Sequence, residues 1–150
     1  MKHPVPLILF LVLVVGGGLV IGSLSAPGGW YAGLAKPSFN PPAWLFGPVW
    51  TVLYVMIAVA GWRVWQHARS GLPMKFWGAQ LALNFLWTPV FFVAQQIGLA
   101  LWVILLMLVV VLAFIATTWR RERVAAWLFV PYAGWVAFAS VLNASIWALN

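Results

Sequence analysis

Cysteine is absent from the 150-residue chain. No disulfide, thiolate nucleophile or cysteine-held metal is therefore available to it, and cysteine usage says nothing about redox compartment. Acid is nearly absent as well, since Glu122 is the single carboxylate side chain and the histidines are two, His3 and His67. So small a stock of ligands argues against a side-chain metal site, and neither a metal nor a cofactor is expected. Glu122 stands among Arg120, Arg121 and Arg123, where a local ion pair or a helix-dipole partner accounts for it. The long apolar stretches hold no Asp, Glu, Lys or mid-span His. A proton-coupled carrier therefore lacks its titratable group, and acid–base hydrolysis lacks its pair.

What is present in excess is apolar surface. Hydrophobic residues make up 65% of the chain and charged ones 6%, with a mean hydropathy of +1.03, which places it among membrane proteins. At about 20 apolar residues per spanning helix, the length holds roughly five spans and leaves no room for a separate soluble domain. A net charge of +7 suggests nucleic acid only until the charges are located. They flank the apolar runs, where basic residues set topology and meet anionic lipid head groups, so no nucleic-acid partner is expected.

The apolar periodicity predicts one domain over residues 1–150, an all-α bundle of five transmembrane helices with a long structured loop between the first and second. The helices are expected at about 5–24, 45–66, 75–94, 98–119 and 124–148. The first run follows Lys2 and His3. Ser23-Leu24-Ser25 before Ala26 has the small-residue character of a signal-peptide cleavage site, but the run exceeds the usual core of a signal sequence, so it reads as a retained helix. Gly18 and Gly22 form a G-x-x-x-G in it, a weak sign of close helix approach. Pro48 is expected near the first turn of the second helix and Pro131 as a kink in the last. Gln95, Gln96 and Gly98 read as a short polar turn.

The amino terminus and the second and fourth loops share one side of such a bundle and carry Lys2, Arg63, Arg69, Lys75, Arg120, Arg121 and Arg123, against Lys36 alone on the other. The positive-inside rule then puts the amino terminus in the cytoplasm and the carboxyl terminus outside, in a bacterial cell membrane.

Polar and aromatic residues inside the spans fall into rows. On the third helix Gln80, Asn84 and Thr88 recur every four residues with Trp87 and Phe91 beside them; on the fifth Trp135, Ala139 and Asn143 do so; on the second Trp50, Tyr54 and Ala58, with Thr51 adjacent. Three such rows suit one pocket, apolar in surface with a few orienting hydrogen-bonding groups, for a flat aromatic-compatible ligand. Each residue also has a plainer explanation. Membrane Asn and Gln often only join helices, and Trp65, Trp119 and Trp147, near span ends, read as interfacial anchors.

The stretch WYAGLAKPSFNPPAW from Trp30 to Trp44 interrupts the apolar pattern with three prolines and a heavy aromatic load. Together with GPVWTVLY from Gly47, AQLALNFLWTPVFF from Ala79 and VPYAGWVAFASVLN from Val130, it resembles the translocator protein family, also called tryptophan-rich sensory proteins or peripheral benzodiazepine receptors. The resemblance implies a five-helix bundle that dimerises. It also implies binding of porphyrins such as protoporphyrin IX, of heme-related tetrapyrroles, and of isoquinoline carboxamide or benzodiazepine ligands, with sensing, sequestration or transport as the role. Its pocket would use Trp50 and Tyr54, Asn84 and Trp87, and Trp135, Ala139 and Asn143, with Phe91 joining from the row on the third helix. The loop, through Trp30, Lys36, Pro41, Pro42 and Trp44, would be a lid whose prolines limit the entropy lost on closing, with Lys36 placed to meet ligand carboxylates. Dimerisation is expected through Gly78 and Ala82 of the third helix. An alternative implied function is light- and oxygen-dependent degradation of protoporphyrin IX, with Trp50 and Trp135 as the catalytic electron donors. A scaffold whose pocket receives only lipid is a third reading. The sterol-associated pattern of animal members has a tyrosine and an arginine where this chain has Ala144 and Ala148, so specific cholesterol binding is not expected.

Overall fold

The structure, a computed structural model, describes residues 4–150; Lys2 and His3 lie outside the described residues. Among the described residues every regular element is a helix. We label them α1 (Pro4–Leu24), α2 (Gly29–Ala32), α3 (Ala43–His67), α4 (Leu72–Phe92), α5 (Ile97–Thr118) and α6 (Arg123–Leu149). Helix α5 packs between α4 and α6, α6 packs on α3, and α1 closes against α3 and α4.

Four of these helices, α1, α3, α5 and α6, are long and apolar enough to cross a membrane. Helix α4 has 21 residues, or about 30 Å of rise, but Lys75, Gln80, Asn84 and Thr88 dilute its apolar character. The outward faces expose Leu9, Val20, Val52, Val109 and Leu112. Such faces are stable against hydrocarbon and not against water, so this is an integral membrane protein.

Local chemistry sets the boundaries. Pro41 and Pro42 end the loop, with Pro42 as the residue before α3 in extended conformation (φ −60°, ψ 145°). Pro48 therefore lies a full turn inside the helix and not in its first turn. Gly71 precedes α4 and Pro73 occupies its first turn, where the missing N–H costs nothing, so the helix starts three residues earlier than the sequence suggests. At the α4–α5 turn Gln95 takes a left-handed φ of 58° and the N–H of Gln96 donates to Val90 O at 3.0 Å. Gly98 is not in that turn but inside α5, where the Trp147 indole lies so close that a Cβ would sit 3.1 Å from it.

Glycine also decides how α1 joins the bundle. A Cβ on Gly18 would overlap the Tyr54 ring, whereas nothing lies within 4 Å of one on Gly22, so only half of the G-x-x-x-G makes a close approach. A π-helical stretch, Val12–Gly16, precedes this contact. About two turns further along α3, Gly61 admits the Trp77 indole, whose Nε1 donates to Ile57 O at 2.9 Å.

The deepest core lies where α3, α5 and α6 meet, with Ile57, Ile104, Met107, Val111, Phe129 and Val136 buried together. Phe114 and Phe129 pack with ring centroids 4.1 Å apart. A second cluster, formed by Phe91, Ala100, Leu142 and Ile146, supports Trp30, Tyr31 and Leu34 of the loop. At the opposite end Glu122 is 8% exposed and reaches across to α3: Arg63 Nε lies 2.8 Å from Oε1 and His67 Nε2 lies 2.9 Å from Oε2. The neighbouring arginines are not its partners in either bond. Burial alone would raise its pKa; the bonds and charge of Arg63 and the bond to His67 outweigh that and hold the carboxyl below the usual carboxylate range.

Candidate functional site: an aromatic cavity beneath the α1–α3 loop

A cavity of about 560 Å³ lies among α1, α3, α4 and α6 beneath the loop that joins α1 to α3. Part of each of the three rows lines it, while Ala58, Gln80 and Asn84 do not. Trp50, Tyr54 and Thr51 come from α3, Trp87, Thr88 and Phe91 from α4, and Trp135, Ala139 and Asn143 from α6. Trp50 is the corner of this wall: its ring stands edge-on to Trp135 at 6.4 Å and 89°, and 5.5 Å from Tyr54. Such edge-to-face contacts hold indole rings without closing the space between them. No ionic side chain lines the cavity among the described residues, and no group of three His, Cys, Asp or Glu comes together there or elsewhere among them.

Asn84 is placed differently. It is buried behind Tyr54, accepting from the Tyr54 hydroxyl at 3.2 Å through Oδ1 and donating from Nδ2 to the Tyr132 oxygen at 2.8 Å. Tyr132 in turn donates to Gln80 Oε1 at 2.8 Å, and Gln80 Nε2 donates to Trp77 O at 2.7 Å. A continuous chain of hydrogen bonds thus runs from the cavity edge into the core, joining α3, α4 and α6. The second amide has a similar task. Trp87 Nε1 donates to Asn143 Oδ1 at 3.0 Å, and Asn143 Nδ2 donates to Ile97 O at 3.0 Å, which ties α4, α6 and the start of α5. Two buried polar atoms, Trp135 Nε1 and Asn40 Oδ1, have no hydrogen-bond partner among the described residues, and both residues line the cavity.

The loop residues divide. Pro41 lines the cavity, as do Tyr31 and Asn40. Trp30 packs edge-on against Phe91 at 6.0 Å, behind the wall. Pro42 precedes α3, and Trp44 is 71% exposed. The Lys36 ammonium turns inward on the loop, donating to Tyr31 O at 2.7 Å and Leu34 O at 3.1 Å and lying 4.5 Å from the Tyr31 ring centre; it binds carbonyls at the end of the short helix α2 and just beyond it. Asn150 holds the loop from α6, accepting from Ala35 N at 3.1 Å and donating to Ala35 O at 2.9 Å.

Several further residues that shape this site extend the rows by one turn. Tyr132 falls three residues before Trp135, on the α6 face turned to the core, and only the packing of α4 brings it to Gln80 and Asn84. Phe46 stands one turn before Trp50 and Gly47 one turn before Thr51, and both line the cavity.

The chain matches the TspO/MBR family over residues 9–148. It is 40% identical over 144 residues to a tryptophan-rich sensory protein of Cereibacter sphaeroides, covering 96% of this chain and 91% of that one. It is 38% identical to a tryptophan-rich protein TspO of Chlorobaculum tepidum, covering 95% and 97%, and 40% identical to a translocator protein of Homo sapiens, covering 81% and 75%. With the family's motifs spread over α3, α4, α6 and the loop, the chain belongs to the TspO/MBR family.

Proposed function

We propose that this membrane protein is a receptor or sensor that binds a flat, largely apolar tetrapyrrole of the protoporphyrin IX or heme-related class, and planar isoquinoline carboxamides or benzodiazepines, in the cavity beneath the loop. The observation that carries the reading is the wall itself. Trp50, Trp87, Trp135 and Phe91 surround about 560 Å³ without an ionic side chain among the described residues, within the range of roughly 300–1,000 Å³ typical of small-molecule sites. Rings of this kind stack on a planar ligand, and the few polar groups orient it. Sequestration and transport of the bound tetrapyrrole are both within this reading. The test is quenching of tryptophan fluorescence by protoporphyrin IX in the dark, with Trp135→Phe and Asn84→Ala beside the parent protein. Saturable quenching that weakens in the variants supports the site; linear quenching, equal in all three, removes it.

The proposal includes the frame around the cavity. Helix α4 is long enough to be a fifth span, since its polar residues Gln80 and Asn84 are buried against α6 and leave no cost in lipid. In this reading the basic α3–α4 and α5–α6 turns face the cytoplasm with the amino terminus, as the positive-inside rule supports, and the loop over the cavity faces outside. Gly78 and Ala82 lie exposed on α4, a small-residue face fitted to a second copy. The loop acts as a lid, held by Asn150 and by Lys36, whose three-carbonyl grip suits it to shape the loop and not to meet a ligand carboxylate.

A second reading rests on the contact of Trp50 with Trp135 on the cavity wall. Two indoles in contact with each other and with a photoexcited porphyrin suit electron donation, so oxygen- and light-dependent degradation of protoporphyrin IX is the enzymatic alternative. Unchanged illuminated turnover in Trp50→Phe and Trp135→Phe proteins that still bind porphyrin would remove it.

A further inference from the structure

This inference rests on the ligand-binding reading above and concerns the hydrogen-bonding group that the ligand must bring. A chain of hydrogen bonds has a direction, and a backbone carbonyl, which only accepts, fixes it. Because Trp77 O accepts from Gln80, the amide nitrogen of Gln80 faces that carbonyl and Oε1 faces Tyr132. Tyr132 has a single proton, for which Gln80 Oε1 at 2.8 Å and the weaker acceptor Met107 Sδ at 3.3 Å are both in reach; with the proton on either, it only accepts toward Asn84, which presents Nδ2 to it. Asn84 therefore turns Oδ1 to Tyr54, which gives its own proton there. Turning the Asn84 amide round would set Gln80 Oε1 against the Tyr132 oxygen with no proton between them, leaving a fully buried acceptor unsatisfied. The Tyr54 oxygen is thus left with lone pairs only.

Two further donors on the wall are spent within the protein. Thr51 gives its proton to Gly47 O at 2.8 Å. The Trp87 N–H is taken by Asn143, itself turned by Ile97 O. The Trp135 N–H is the one buried side-chain donor without a partner among the described residues.

We infer that Gln80 and Tyr132, which lie behind the cavity, are specificity-determining positioning residues: they hold Tyr54 as an acceptor, so that the site selects planar aromatic ligands that bring an N–H or O–H donor to Tyr54 and a carbonyl or carboxylate oxygen to Trp135 Nε1. The pair Gln80–Tyr132 sets the sense of the chain and Tyr54 reads it out. Replacing Gln80 by Met leaves Tyr132 only the weak Met107 sulfur as an acceptor behind it, lets the Asn84 amide turn, and frees the Tyr54 proton for a ligand.

The experiment uses the full chain in detergent micelles and two probes that share ring and carbonyl, 2-naphthamide and N,N-dimethyl-2-naphthamide, competing with protoporphyrin IX for quenching of tryptophan fluorescence. In the parent protein the free amide is expected to bind about fivefold tighter than the dimethyl compound, the effect of one ordinary hydrogen bond. Tyr54→Phe is expected to bring that ratio close to one, and Gln80→Met to bring it to one or below, the ratio being taken between the two amides within each variant. A loss of porphyrin binding in the parent protein overturns the ligand-binding reading itself. Saturable porphyrin binding with equal affinities for the two amides, or no displacement by the free amide, overturns only the present inference, as does a ratio that survives in both variants. Should Gln80→Met fail to fold, Tyr54→Phe, at the cavity edge, decides alone.

Discussion

Tyr132→Phe is the most informative stability test of the buried chain. The residue is fully buried, and its hydroxyl makes two bonds between α6 and α4, one from Asn84 and one to Gln80, each 2.8 Å. Removing it leaves Asn84 Nδ2 and Gln80 Oε1 without those partners, while the ring still fills its place. In a water-soluble core two stranded groups cost about 1–3 kcal/mol each. In a membrane the less structured state also finds partners, and measured interhelical bonds average about 0.6 kcal/mol with a maximum near 1.7. The two bonds together therefore predict a loss of about 1–3 kcal/mol, read as a shift in the unfolding midpoint on titration of mixed micelles with SDS. A cycle with Asn84→Ala separates a shared network from independent contacts: the double variant should lose clearly less than the sum of the singles. A loss below about 0.3 kcal/mol, under the membrane average for a single bond, or strict additivity, would refute the argument that Tyr132 is the node of one chain.

Other outcomes follow from single contacts. Gly18→Val places a branched side chain where the Tyr54 ring lies, so it should displace α1 and abolish saturable porphyrin quenching, whereas Gly16→Ala, with nothing within 4 Å, should leave quenching unchanged. For Glu122 the folded carboxyl titrates below the unfolded one, so its stabilising contribution is complete above the unfolded value and is lost as pH falls through the folded value. The Tm difference between the parent protein and Glu122→Gln should therefore be steady near neutrality and shrink below the ordinary carboxyl value of 4.5; a constant difference down to pH 3.5 would contradict the cross-helix pairing. Asn150→Ala removes both bonds to Ala35 at an exposed site, and stopped-flow release of porphyrin should quicken by about two- to fivefold, the effect of a weak solvated bond pair; an unchanged rate would mean that this contact does not restrain the loop.

Helical periodicity makes the cavity wall legible in the sequence alone. Trp50 and Tyr54, Trp87 and Phe91, and Trp135, Ala139 and Asn143 share faces because four residues advance a helix by about one turn, and residues too polar or too flat for lipid turn toward one another. The same periodicity could not place Asn84 behind the wall, nor show that its amide is spent on two tyrosines of different helices. Glu122 illustrates the limit further. Its sequence neighbours are arginines, yet its partners are Arg63 and His67, 59 and 55 residues away, because the turn before α6 folds over the end of α3. Lys36 was legible as a lone outer charge but not as a ligand of its own loop, since three carbonyls converge only after α2 forms.

This division has a functional sense. The aromatic wall, read from spacing, supplies area for a planar ligand, while the amides and hydroxyls behind it, fixed by packing, give that area a polarity. Trp135 sits at the junction, with its ring on the wall and its N–H unspent.

The most direct measurement is a dark titration of the purified protein with protoporphyrin IX, following tryptophan fluorescence in the parent chain and in Trp135→Phe. The account predicts saturable quenching in the parent and a weakened, right-shifted curve in the variant. Quenching that rises linearly with porphyrin and is the same in both proteins would mean partition into the micelle, and would contradict the claim that the cavity is a binding site.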